Sequence, residues 1–214
     1  MQRMRTMKIW MGLILGVVIN ISACAKVSSP AQAKESSNMP QAENYEEGPT
    51  IPQGAEKAVL AGGCFWGMEE IIRKIPGVID TTVGYAGGTT ASPTYDKVKH
   101  GDTGYAESIE VVFDPKKLSY EQLLGWYFRM HDPTTKNRQG NDWGTQYRSA
   151  IFYENEQQKT IAEQVKAKVD HSGKWKNPVV TEIVPAGLFF PAEDYHQDYL
   201  EKNPGGYTCH YLRD

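Results

Sequence analysis

Between residues 57 and 153 the hydrophobic period of the chain switches back and forth between two and 3.6, and the order of the switches restricts the fold more than any other feature. Residues 57–61 are a short apolar run ended by Gly62-Gly63, which reads as a strand and its turn. Phe65, Met68, Ile71, Ile72 and Ile75 then recur at helical spacing until Pro76-Gly77 stops them. Residues 78–85 are rich in β-branched side chains and read as a strand. In the next strand Ser108, Glu110 and Val112 alternate with Ile109, Val111 and Phe113, and Asp114-Pro115 closes it. Ser119 with Gln122 three residues on forms a capping box, and Leu123, Leu124, Tyr127 and Phe128 carry a helix forward. Residues 149–153 give a further strand, 154–171 a charged amphipathic helix and 179–184 a last strand. The order up to residue 153 is β-α-β-β-α-β. It predicts an α+β fold of ferredoxin-like type: two layers, an antiparallel sheet with helices on one face, extended by the later helix and strand. Residues 86–105 and 131–147 fit no element. Loops of that length inside a compact domain usually carry function.

The pattern begins only after about residue 54. Residues 1–23 hold Arg3, Arg5 and Lys8, no acid, and an apolar run from Ile9 to Ile21 that is short for a bilayer span. These are the proportions of a signal peptide. The run ends in Ile21-Ser22-Ala23-Cys24, which resembles the bacterial lipobox, so Cys24 is the expected lipidation site. Ordinary cleavage after Ala31-Gln32-Ala33 is the alternative. It leaves a cysteine at that one position unexplained. Residues 24–54 are Ser, Ala, Gln, Asn, Glu and Pro with few apolar side chains, a flexible linker with a reach of roughly 30 Å. Residues 55–214 then form the domain. The expected place is the bacterial cell envelope, with the protein exported and held to a membrane by its lipid.

Charge narrows the function classes. The whole chain carries −3, and removing the three bases of residues 1–23 leaves 20 bases against 26 acids, a net −6. An acidic domain gains nothing from counterion release, so nucleic acid is not an expected partner. The five histidines are scattered, with no cluster of ligand spacing, so no metal site is expected.

Apart from Cys24 the chain has two cysteines, Cys64 and Cys209. A plain structural bridge between them is common in exported proteins. Their surroundings offer a second reading. Cys64 follows a strand and a double glycine and opens a helix, where unpaired N–H groups and the helix dipole lower a thiol pKa. Phe65 and Trp66 set two large apolar faces beside it. Cys209 sits near the end of a glycine-rich tail, Asn203-Pro204-Gly205-Gly206-Tyr207-Thr208-Cys209, mobile enough to swing onto a reacted Cys64.

Gly63-Cys64-Phe65-Trp66-Gly67 resembles the active-site motif of the A-type peptide methionine sulfoxide reductases. The likeness continues through Gly84-Tyr85-Ala86-Gly87-Gly88, Pro93-Thr94-Tyr95, the run from Gly101 to Glu107, the run from Gln139 to Ala150, and Ala192-Glu193-Asp194-Tyr195-His196-Gln197. It covers about residues 57–209. The resemblance implies Cys64 as nucleophile toward the sulfoxide sulfur, Glu107 as the acid, and Tyr95 and Tyr147 as phenols that hydrogen-bond the sulfoxide oxygen. It implies that Asp142 orients substrate, that Phe65 and Trp66 hold the S-methyl group, and that His196 and Tyr199 lie around the pocket, three apart on a short helix. Cys209 would condense with a sulfenic acid on Cys64, and an external dithiol protein of the thioredoxin type would reduce the resulting disulfide. The implied substrates are the S epimer of methionine sulfoxide, free or in oxidised peptides and proteins. No bound cofactor is expected, and the protein is expected to act as a monomer.

Two departures from some relatives stand out. Some relatives carry a further cysteine downstream that relays the disulfide outward; with five residues after Cys209 here, the reductant is expected to meet the Cys64–Cys209 bond directly. Trp143 follows Asp142 where other residues are often found, and is expected to affect preference for the flanks of a substrate. A peptide-binding lipoprotein with a permanent Cys64–Cys209 bridge is the competing class. A dithiol oxidoreductase is disfavoured because no Cys-x-x-Cys is present.

Overall fold

The computed structural model describes residues 51–214. The signal peptide, Cys24 and nearly all of the linker therefore lie outside the described residues. Strand β1 (Glu56–Gly62) leads into helix α1 (Phe65–Ile72), followed by β2 (Val78–Ala86), a single-turn α2 (Tyr95–Val98) and β3 (Ala106–Phe113). Helix α3 (Tyr120–Met130) comes next, then a small hairpin of β4 (Arg138–Gln139) and β5 (Asp142–Trp143), and a 3-10 turn at Thr145–Tyr147. The chain closes with β6 (Ser149–Tyr153), α4 (Glu156–Asp170), β7 (Glu182–Pro185), β8 (Phe190–Pro191) and α5 (Tyr199–Lys202).

Six strands form one sheet in the order β7-β6-β1-β3-β2-β8. Its middle, β6-β1-β3-β2, is antiparallel throughout and has the split-βαβ order that the sequence predicts. The expectation of a purely antiparallel sheet needs correction at one edge. β6 and β7 pair in parallel, with Ala150 opposite Glu182 and Tyr153 opposite Pro185, because α4 between them carries the chain back to the starting end. The two loops also contain structure: α2 lies within 86–105, and the hairpin and 3-10 turn lie within 131–147. Elements of two to four residues are too short to leave a periodic trace.

Alternation along the strands builds two apolar layers. Ala58 and Leu60 of β1, Ile109, Val111 and Phe113 of β3, and Ile151 of β6 face α1, α3 and α4. Val59, Ala61, Ala106, Ala150 and Phe152 face the other way, where Phe189 packs over them. β3 is buried along its whole length, so it is a two-sided core strand rather than the half-buried one that its alternation suggests. The capping box at α3 forms as expected: Gln122 N–H donates to Ser119 Oγ at 3.2 Å and Ser119 N–H to Gln122 Oε1 at 2.8 Å. Asn155 caps α4 through the Gln158 N–H at 2.9 Å, which starts that helix just after the expected residue. Among the described residues no helix is long and apolar enough to cross a membrane.

Candidate active site

The site grows from the end of β1. Gly62-Gly63 turns the chain, and Cys64 becomes the N-cap of α1, buried to 6 % exposure. Gly63 has φ +112°, and a Cβ there would stand 2.6 Å from Gln139 Cγ, so glycine is required by both backbone and space. A Cβ at Gly67 would stand 2.3 Å from Thr208 Oγ1 and 2.6 Å from His210 Nδ1. These glycines let the β4–β5 hairpin and the C-terminal tail close over the start of α1.

Glu107, on β3, lies beneath the same helix start and is 3 % exposed. Its Oε2 accepts the Phe65 N–H at 3.1 Å. Burial outweighs that hydrogen bond and pushes the carboxyl up to about 8, with Asp142 adding to the rise. Cys64 behaves differently from the sequence expectation of a lowered thiol pKa. Burial raises it well above the ordinary thiol value, Glu107 raises it further, and the Trp66 N–H opposes only in part. The helix start is real, but desolvation wins over it. At neutral pH both groups are uncharged, so the corner holds no unpaired buried charge.

Tyr95 opens α2 and Tyr147 ends the 3-10 turn, and both phenols are raised, first by burial and then by Glu107. They stay hydrogen-bond donors at any physiological pH. Asp142, on β5, accepts the Tyr207 hydroxyl at 2.9 Å through Oδ1, while its buried Oδ2 has no hydrogen-bond partner. Phe65, Trp66, Tyr95 and His196 form one aromatic wall, with ring centroids of His196 5.1 Å from Phe65, 5.5 Å from Trp66 and 4.6 Å from Tyr95. The Trp66 indole N–H donates to His196 Nδ1 at 3.0 Å, and Tyr199 stacks on Trp66 at 3.7 Å.

One expectation is corrected here. His196 and Tyr199 do not share a helix: His196 lies in the turn before α5, and Tyr199 is its first residue. Trp143 is opposite Arg138, and Asp142 opposite Gln139, so successive residues of β5 point to opposite faces of the hairpin. Asp142 turns inward, whereas Trp143 is 67 % exposed and carries the Arg138 guanidinium 3.9 Å over its ring.

The tail is docked rather than loose. His210 is buried, with Nε2 2.9 Å from the Gly62 carbonyl, and Arg213 N–H donates to the Arg129 carbonyl at 2.9 Å. Cys64 and Cys209 are free thiols, and the Cys64 N–H points at the Cys209 sulfur. Burial first, then Asp142, pushes the Cys209 thiol up to about 12.

Supporting residues escaped the reading by periodicity. Glu193 accepts the Tyr85 hydroxyl and the Tyr95 N–H, each at 2.9 Å, and so fixes where α2 begins. Gln197 bonds both backbone groups of Val83 at 2.9 Å, tying the 192–197 segment to β2. Glu69 accepts the Asp198 N–H at 2.8 Å and anchors the left-handed turn, φ 54°, that starts α5. Glu193 and Gln197 fall inside a motif quoted for the resemblance, which was the available signal. Glu69 lies outside every motif quoted for the resemblance. No cluster of three or more His, Cys, Asp or Glu suited to a metal occurs among the described residues.

Residues 56–214 match the family model described as peptide methionine sulfoxide reductase. The peptide methionine sulfoxide reductase MsrA 1 of Mesorhizobium japonicum is 59% identical over 158 residues, covering 74% of this chain and 90% of that one. The reduced crystal form of Mxr1 from Saccharomyces cerevisiae superposes with a TM-score of 0.73 at 41% identity, covering 78% of this chain and 96% of that one. Mxr1 in complex with Trx2 superposes with a TM-score of 0.54 at 29% identity, covering 78% and 95%.

Proposed function

The chain belongs to the peptide methionine sulfoxide reductase family, and we propose that it reduces methionine sulfoxide through Cys64, with Glu107 as acid and Cys209 as resolving thiol. The observation that carries this reading is the neutral pair. A buried carboxyl that keeps its proton to about pH 8 stands against the helix whose N-cap is the nucleophile.

The chemistry follows from that pair. Glu107 gives its proton to the sulfoxide oxygen, which makes the sulfur electrophilic. Cys64 attacks that sulfur, and its thiol proton returns to Glu107 as the oxygen passes to Cys64. The products are methionine and a sulfenic acid, with no net proton released. Tyr95 and Tyr147, held as phenols, donate to the same oxygen. Phe65 and Trp66 grip the methyl group, with His196 and Tyr199 bracing the indole, and Asp142 orients the rest of the substrate. Cys209 then displaces the hydroxyl to give the Cys64–Cys209 disulfide. A thioredoxin-type dithiol reduces it, a reading supported by the complex of the relative Mxr1 with Trx2.

The S epimer is the proposed substrate, in oxidised peptides and proteins and as the free amino acid. Residues 1–23 are the proposed export signal, residues 24–54 the tether and residues 55–214 the catalytic domain. Cys24 is the proposed lipid anchor, and the enzyme works as a monomer in the cell envelope, repairing exported proteins. The basic n-region, the short apolar run and the small residues before Cys24 support this. The direct test supplies peptides carrying either sulfoxide epimer, with dithiothreitol as reductant. Methionine should form from the S epimer alone. Equal yields from both epimers, or none from either, would contradict the reading.

A further inference from the structure

His210 is a buried titratable side chain that the cycle above leaves without a task. Its Nε2 lies 2.9 Å from the Gly62 carbonyl oxygen, which can only accept, so Nε2 carries a proton. Burial pushes the ring down to about 4 and Arg213 acts the same way, while the Gly62 carbonyl and Asp142 oppose. The imidazole is therefore neutral, and its second nitrogen, Nδ1, holds a free lone pair. That nitrogen lies 3.4 Å from Cys209 Sγ. The other titratable and charged groups facing the ring or its thiol partner are His131, Asp142, Tyr207, Arg213 and Cys64, with Thr208 and Gln139 as uncharged neighbours.

We propose that His210 is a catalytic base for the second half of the cycle, taking the Cys209 thiol proton on Nδ1 as Cys209 attacks the sulfenic acid on Cys64. The proposal rests on the roles given above to Cys64 and Cys209. Cys209 needs such help: with its thiol pushed up to about 12, only about one molecule in 10⁵ carries a thiolate at pH 7. Proton transfer coupled to S–S bond formation avoids that rare species. The S–S bond forms as the S–O bond of the sulfenic acid breaks, so the Cys64 sulfur is reduced and the Cys209 sulfur oxidised. The departing hydroxyl takes a proton from Glu107 and leaves as water. The imidazolium returns its proton to Glu107 through that water, and both groups end as they began. Asp142 is the competing acceptor near Cys209: its Oδ1 holds the Tyr207 hydroxyl, but its buried Oδ2 is open, so the variant below is chosen to separate it from His210.

The test is His210→Gln in the full chain. A glutamine amide nitrogen can still donate to the Gly62 carbonyl, which keeps the tail anchored, but leaves no basic atom at Nδ1. Reduced enzyme is mixed with methionine sulfoxide without reductant; quenched samples give methionine formed and, by dimedone labelling, Cys64 sulfenic acid remaining. The methionine burst should keep its rate within about twofold, while decay of the sulfenic acid at pH 7 slows roughly 10²-fold, the usual worth of a general base. Between pH 5.5 and 7.5 the wild-type decay should be flat, because His210 stays neutral there, and the variant's should rise about tenfold per pH unit with the thiolate fraction. A purely anchoring role would not change that slope. An unchanged rate in the variant would overturn the proposal and assign the proton to Asp142 or solvent. If the variant does not fold, a wild-type decay that itself climbs tenfold per unit overturns it. A wild-type enzyme with no burst would show instead that the Cys64 reading fails, and the proposal with it.

Discussion

At Glu107 one side chain sits in a register that its chemistry resists. It shares the β3 phase of Ile109, Val111 and Phe113, the face that packs under the helices. From the strand pattern alone Glu107 reads as an exposed carboxylate; only the family motif marked it as the acid, and its burial shows only in the packing. Its burial decides its protonation, and that decides the pH behaviour of the reaction. Glu107→Gln keeps the volume and an acceptor for the Phe65 N–H but has no proton of useful acidity to give. The rate of methionine formation in a single turnover should fall roughly 10²–10⁴-fold, with little change in thermal midpoint. In the wild type the same rate should hold below the carboxyl's pKa of about 8 and decline above it, as the acid loses its proton. A profile flat to pH 10 would move the proton to another donor. The Cys64 thiol was the residue least legible from local pattern. A helix N-terminus argues for a low pKa, and only the packed structure reveals how much burial and Glu107 oppose it.

Among the elements, α1 and the tail depend on each other through a residue with no side chain. Gly67→Ala would put a methyl 2.3 Å from Thr208 Oγ1 and 2.6 Å from His210 Nδ1, so the tail must lift or α1 must shift. The overpacking should cost about 1–3 kcal/mol if the tail stays docked. If the tail lifts, Cys209 is drawn away from Cys64 while the helix start is spared. Steady-state turnover with thioredoxin should then drop about tenfold or more, while the first methionine forms at a near-normal rate. Paired burst and steady-state assays check this; equal losses in both would mean that α1 itself has moved. Long elements were readable because their periodicity runs over several turns or pairs, as in α3 with its Ser119 cap and in β1 and β3. The single turn at Tyr95–Val98, the two-residue strands of the hairpin and the start of α5 were not. Tertiary hydrogen bonds hold them in place, Glu193 to the Tyr95 N–H and Glu69 to the Asp198 N–H, and no local pattern announces such bonds.

Across the whole molecule, the proposed anchor and tether precede the catalytic domain in sequence, so either the anchor or the activity should be lost without the other. Cys24→Ala should release the protein from detergent-extracted membranes and leave methionine sulfoxide reduction unchanged, because a lipid anchor acts through partition and not through the site. A variant that still fractionates with lipid would remove the lipobox reading. The split-βαβ order was legible along the chain because each strand and helix carries its own signal. The parallel β6–β7 edge and the docking of the tail were not, since both depend on where a crossover or a terminus lands. The cycle itself needs the two ends of the domain together, Cys64 from the first strand–helix turn and Cys209 from the tail. The most direct measurement of that claim is a quenched single turnover of Cys209→Ser without reductant. About one methionine per enzyme molecule should form, and Cys64 should then label with dimedone as a sulfenic acid, while Cys64→Ser makes no methionine under any condition. Equal activity in the two variants, or no burst in Cys209→Ser despite a folded domain, would contradict the division of labour between the two thiols.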